Sequence, residues 1–259
     1  PEPALVPVTR DRHLPLSLAQ QRLGFVERFD RQASLSYHLP LALRLTGALD
    51  VDALKASLSR IWERHEVLRS FFPDDGGVPY LDFLDRTFVL PEQDLSTLPG
   101  DARSAALDEI ALHEARAPFD FAHGPLIRAR LLRLDSDDHV LLVTMHHVIS
   151  DGWSLSVLVR ELGALYPAFR MGLSDPLPPL PVQYADYALW QRERMQGERL
   201  ERDMAFWREH LSGAPSLIDL PLDRSRTIAA ISCSSTARSI SRATCTHSPS
   251  GTARRSTWC

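Results

Sequence analysis

Residues 140–154 read Val-Leu-Leu-Val-Thr-Met-His-His-Val-Ile-Ser-Asp-Gly-Trp-Ser. An apolar run ends in two adjacent histidines, His146 and His147, and four residues later Asp151-Gly152 turns the chain into a new amphipathic stretch. A run this apolar reads as a strand near the centre of a sheet. Neighbours on a strand point to opposite sides of the sheet, so one imidazole faces the interior and the other an open cleft. An imidazole titrates near pH ~6.5 and can serve as a base at neutral pH. A base at the end of a rigid strand, followed by a tight turn and a helix start, suits acyl transfer.

Working outward, Leu126–Leu134 alternates with Arg128, Arg130 and Arg133, and Asp135-Ser136-Asp137-Asp138 joins it to the apolar run. The two form a hairpin whose second strand is the more central. Downstream, Leu155, Leu158, Val159, Leu162 and Leu165 share one face of a long helix over Trp153–Phe169. Near the start, Ser17 caps a helix running to about Phe29, with Gln20 as its capping-box partner. Leu39–Leu45 is strand-like. Asp50 caps a second helix to about His65, with Val51, Leu54, Leu58, Ile61 and Trp62 on one face. Strand-like runs at Val67–Phe72 and Val78–Phe83 flank the turn Pro73–Gly77, and Thr87–Leu90 reads as a further short strand.

A helix covers about Asp101–Ala115. After a Pro-rich crossing, Pro176–Pro181, come helices at Gln183–Met195 and Leu200–Leu211. Helices and strands mixed without βαβ regularity give an α+β sandwich. The domain division is an extended linker over 1–15, a lobe over 16–175, a crossover over 176–226, and a tail over 227–259.

Of 259 residues, 44% are hydrophobic and 24% charged, ordinary for a globular chain. The net charge of −4 argues against nucleic-acid binding. No apolar stretch approaches the length of about 18 that suggests a membrane span. The tail differs from the body. It holds eight Ser, six Thr, four Arg, no acid and all three cysteines, Cys233, Cys245 and Cys259. A cysteine-free body fits a cytoplasmic protein. The tail's composition has two readings, a disordered linker and, favoured, an out-of-frame translation without stable packing or function.

Asp151 has three readings: a cap of the next helix, a partner of an Arg, or a substrate contact. Gly152 supplies a backbone shape that other residues resist. No metal site is expected, because adjacent histidines point apart and no His-Glu-x-x-His or Cys-x-x-Cys occurs. No Gly-x-Ser-x-Gly elbow surrounds Ser150, Ser154 or Ser156, so a serine nucleophile is not expected, and no Gly-rich phosphate loop is present; no directly bound cofactor is expected.

Three further motifs carry a family resemblance, with three shorter matches beside them. Ser17-Leu-Ala-Gln-Gln-Arg-Leu23 is similar to a first motif, Arg64-His-Glu-Val-Leu-Arg69-Ser-Phe to a second, and Tyr184-Ala-Asp-Tyr-Ala-Leu-Trp190-Gln to a fourth. Pro118-Phe-Asp-Phe-Ala-His-Gly-Pro125-Leu, Phe206-Trp207 and Leu220-Pro-Leu-Asp-Arg224 also fit. From about Leu14 to Arg226 the chain resembles the condensation domain of nonribosomal peptide synthetases, in the chloramphenicol acetyltransferase-like superfamily. His-His-x-x-x-Asp-Gly alone is shared with other acyltransferases of that superfamily; the added motifs narrow it. Gly24 stands where an aromatic is usual, and His38 where Asn is common.

The resemblance implies a two-lobed fold of which this chain holds the N-terminal lobe, a mixed or antiparallel sheet flanked by helices, with the second lobe largely missing. It implies amide-bond formation between aminoacyl or peptidyl thioesters. These ride on the phosphopantetheine arms of upstream and downstream peptidyl carrier domains, beside an adenylation domain. His147 would be the catalytic base or the group that orients the amine, with His146 as scaffold. Asp151 would pair with Arg64 or Arg69, and Gly152 would offer its N–H to the oxyanion. The opening helix resembles domains that join two L residues or that also epimerise the donor. This fragment alone is expected to be inactive. The alternatives are a free-standing acyltransferase using a CoA or carrier thioester, and a non-catalytic module that docks carrier proteins.

Overall fold

The computed structural model describes residues 4–30, 34–215 and 241–244. Its centre is a five-stranded sheet in the order β6-β7-β8-β1-β9. The strands are β1 (His38–Thr46), β6 (Glu92–Asp94), β7 (Ile127–Asp135), β8 (Asp138–His146) and β9 (Ser241–Thr244). Two ribbons lie outside it: β2 (Ser70–Phe71) with β5 (Asp82–Phe83), and β3 (Asp74–Asp75) with β4 (Val78–Pro79). The helices are α1 (Leu18–Phe29), α2 (Val51–Arg64), α3 (Gly100–Arg116), α4 (Gly152–Arg170), α5 (Tyr184–Arg194) and α6 (Gly197–His210).

β7 and β8 form the expected hairpin, and β8 pairs antiparallel with both β7 and β1. The strand alternation of β8 divides its side chains between two cores. Leu141, Val143 and Met145 join Leu54, Leu58 and Ile61 of α2 and Leu158 and Leu165 of α4. Val140 and Leu142 join Leu132 and Leu134 of β7, with Leu107, Ile110 and Ala111 of α3 against them. Helices therefore cover both faces, and the apolar composition of β8 follows from that double burial. Each such fully buried aliphatic side chain stabilises the fold by about 1.5–3 kcal/mol.

Four local expectations are corrected. Residues 8–15, read as part of an inter-domain linker, are packed onto the lobe; residues 1–3 lie outside the described residues. Leu14 is buried and bridges Leu81, His13 stacks on Tyr80, and the Val8 N–H donates to Asp186 Oδ1 at 3.0 Å. The stretch Val67–Phe72 is a 3-10 turn, Glu66–Arg69, followed by two strand residues. The Gln183 side chain fixes this corner, accepting from Glu66 N–H at 3.2 Å and donating to Arg64 O at 2.9 Å. Thr87–Leu90 is not a strand; the pairing with β7 falls on Glu92–Asp94. Finally, four residues of the tail, Ser241–Thr244, pair in parallel with β1, whereas the sequence reading leaves the tail unpacked. The open edge of β1 offers N–H and C=O groups to any extended segment. The remainder of 227–259 lies outside the described residues.

Candidate active site

The β1–β8 register sets the two histidines. His38 pairs with His146, and one step further the His147 N–H donates to Tyr37 O at 2.8 Å. Strand alternation then sends the rings to opposite faces. His146 is 1% exposed, while His147 stands in solvent.

His146 sits in a box of rings. Phe121 meets it edge-on at 4.8 Å between centroids, His38 at 5.7 Å and Phe119 at 6.1 Å. Its Nδ1 accepts the Val148 N–H at 3.0 Å. The proton is therefore on Nε2, which donates to Ser34 Oγ at 3.3 Å. Burial pushes the His146 pKa down to about 3, and the neighbouring His38 and His147 add to the shift. The ring is neutral and has no free lone pair for chemistry. His38 forms a wall of the same box, its Nδ1 on Ala115 O at 2.8 Å and its ring edge-on to Phe119 at 4.9 Å.

The loop after His147 is tightly held. Val148, Ile149 and Ser150 are all buried. Ile149 N–H and Ser150 Oγ both donate to His146 O, at 3.0 and 3.3 Å. Val148 O accepts from Gln20 Nε2 of α1 at 3.4 Å. Asp151 then caps α4: its Oδ1 accepts from Ser154 N–H at 2.8 Å and Ser154 Oγ at 2.7 Å. These hydrogen bonds hold the carboxyl below its usual range.

The expected ion pair from Asp151 to the second motif is corrected, because its carboxylate is committed to Ser154. Arg64 instead binds Glu161 of α4 at 3.2 Å, both side chains buried, and His65 Nε2 lies 2.7 Å from the other oxygen of the same carboxylate. Arg69 donates to Leu84 O at 3.3 Å, and its Nε has no hydrogen bond among the described residues. Gly152 is corrected as well. It does not adopt a left-handed backbone, and a Cβ there would meet nothing within 4 Å. It begins α4 beside open space, so its small size leaves room rather than permitting a turn.

Sequence reasoning missed Ser34, Tyr37 and Glu161 and gave Gln20 only its capping role. The capping box is present, with Ser17 N–H on Gln20 Oε1 at 3.0 Å. The signal for the rest was a glutamine at that position, whose amide NH₂ remains available where a glutamate has none. Among the described residues no group of three or more His, Cys, Asp or Glu is placed to hold a metal ion. No helix among them is long and apolar enough to cross a membrane. The arrangement is one solvent-facing imidazole just past a strand end, next to a helix N-terminus, with Val148 and Ser150 hydrogen-bonded behind it.

The sequence matches a family model described as Condensation domain over residues 10–250. Malpinin synthetase of Mortierella alpina is 47% identical over 228 residues, covering 86% of this chain and 3% of that protein. A linear gramicidin synthase of Brevibacillus parabrevis is 45% identical over 223 residues, again covering 86% of this chain and 3% of that protein. The chain thus spans a small part of the length of these relatives. The solved X-domain from teicoplanin biosynthesis superposes with a TM-score of 0.73 at 35% identity, over 87% of this chain and 49% of that one.

Proposed function

This chain belongs to the condensation-domain family, and we propose that it supplies the N-terminal, histidine-bearing half of a site that joins two carrier-borne acyl groups through an amide bond. The observation that carries the reading is the exposed His147 ring just past the end of β8, followed by three buried residues, Val148, Ile149 and Ser150. The amine of an aminoacyl thioester on a downstream carrier attacks the thioester carbonyl of an upstream aminoacyl or peptidyl group. The C–N bond forms, the C–S bond breaks, and the amine proton passes by way of His147 to the departing phosphopantetheine thiolate. His147 takes that proton or orients the amine that loses it. General-base help of this kind is worth ~10²–10⁴ in rate. Delivery of both substrates on tethers supplies proximity.

Gly152, with open space before it, is the donor assigned to the oxyanion. Asp151 acts through the cap of α4. The adenylation and carrier domains that load the substrates are the partners this chemistry requires. The half of the site beyond this lobe comes from chain corresponding to the other half of the solved domains.

The test is condensation between two aminoacyl-loaded carrier proteins, followed by mass spectrometry in the parent synthetase. His147→Ala is expected to cut the rate ~10²-fold or more. An unchanged rate would leave the lobe as a docking module.

A further inference from the structure

Val148, the residue after the candidate catalytic histidine, is held through both of its backbone polar groups. The Val148 N–H is taken by His146 Nδ1 at 3.0 Å, and the Val148 carbonyl by Gln20 Nε2 at 3.4 Å. His146 reaches from the same strand. Gln20 reaches from α1, 128 residues away in sequence. Its side chain is 1% exposed, so water does not compete for the amide. The other end of that amide is also committed, with Oε1 on Ser17 N–H, and Ser17 Oγ lies 3.0 Å from Tyr184 OH of α5. The glutamine thus bridges the start of α1 to the backbone that carries the His147 ring.

We propose that Gln20 is a positioning residue for His147, acting through the carbonyl of Val148. The inference rests on the catalytic reading of His147. A capping box needs only an acceptor at this position, and glutamate fills that role as well as glutamine. A donor is needed only for the Val148 carbonyl. Removing it frees one side of the loop peptide, and the imidazole on the preceding residue loses its fixed aim. Small displacements of a reacting group lower the rate of the chemical step more than they weaken substrate binding.

The glutamate substitution separates the two roles of the side chain. Glu at position 20 keeps the acceptor for Ser17. Buried, it holds a proton more readily than in water, and the protonated acid has an O–H for Val148 O. Once ionised it has none. In the parent synthetase, kcat of Gln20→Glu relative to wild type is expected to be near unity at about pH 6 and to fall about tenfold by about pH 9, with KM for both loaded carriers unchanged. Gln20→Leu, which lacks the donor at every pH, is expected to lose about tenfold in kcat throughout.

Circular dichroism establishes that each variant is folded over the range; if Gln20→Leu does not fold, the Gln20→Glu ratio decides. A flat ratio, or a folded Gln20→Leu with wild-type kcat, overturns the proposal. His147→Ala run in parallel separates the failures. If that variant keeps its rate, the catalytic reading falls; if it loses rate while the Gln20 variants do not, only the positioning role falls.

Discussion

Asp151 accepts both hydrogen bonds that Ser154 donates, from the backbone N–H at 2.8 Å and the hydroxyl at 2.7 Å, on a single oxygen. The Asp of His-His-x-x-x-Asp-Gly is here a helix cap for α4. Asn caps helices as well as Asp does, whereas Ala does not. Asp151→Asn should therefore keep stability and condensation rate near wild type, and Asp151→Ala should lose about 1 kcal/mol in urea unfolding. Equal losses in the two variants would point back to an arginine partner.

His146 gives the fold a pH dependence of its own. Its pKa is pushed from 6.5 down to about 3 by burial. The unfolded chain binds a proton on this ring as pH falls below about 6.5, and the folded chain does not. Stability should be full above that point and should decline progressively as pH drops toward 3, the folded pKa. His146→Phe should flatten this decline in a pH series of unfolding midpoints. NMR should show the ring in the Nε2–H tautomer.

Arg64 and Glu161 form a buried ion pair at 3.2 Å, with side chains 6% and 7% exposed. Arg64→Met would leave the buried Glu161 with His65 as its remaining partner among the described residues, and losing one member of a buried pair costs up to about 3–5 kcal/mol. Arg64→Met should therefore destabilise far more than the double variant Arg64→Met/Glu161→Met. Chemical denaturation of the two measures the difference, and equal losses would mean that the pair carries no mutual dependence.

Residues 201–210 of α6 are all exposed, and Phe206 and Trp207 are 58% and 56% exposed. An uncovered apolar face promotes self-association. The isolated chain should bind a hydrophobic dye and sediment faster with concentration. Phe206→Ser/Trp207→Ser should reduce both signals while leaving the thermal midpoint unchanged.

Local rules made much of this fold legible in the sequence. The β7–β8 hairpin follows from alternation and the acidic turn between its strands, and the caps at Ser17 and Asp50 from residue type alone; for Asp151 capping was one reading of three, and the resemblance favoured an arginine partner instead. The opposite facing of His146 and His147 follows from strand geometry. Long-range partners were not legible. Val67–Phe72 has strand composition, but its start is a 3-10 turn held by a glutamine 117 residues from Glu66. Arg64 found Glu161 rather than Asp151 because Glu161 lies on the buried face of α4, whereas Asp151 stands exposed ahead of its first turn. Sequence spacing does not tell which turn of a helix faces a neighbour.

Arg10 closes a bridge to Glu66 at 2.7 Å and to Asp186 at 2.8 Å, beside the bond from Val8. Any segment joined upstream therefore hinges near residue 8 rather than at Ser17, where α1 begins. Its leash is shorter by the span of those residues, about 30 Å if they were drawn out straight. This one guanidinium thereby fixes where the upstream chain leaves the body of the lobe.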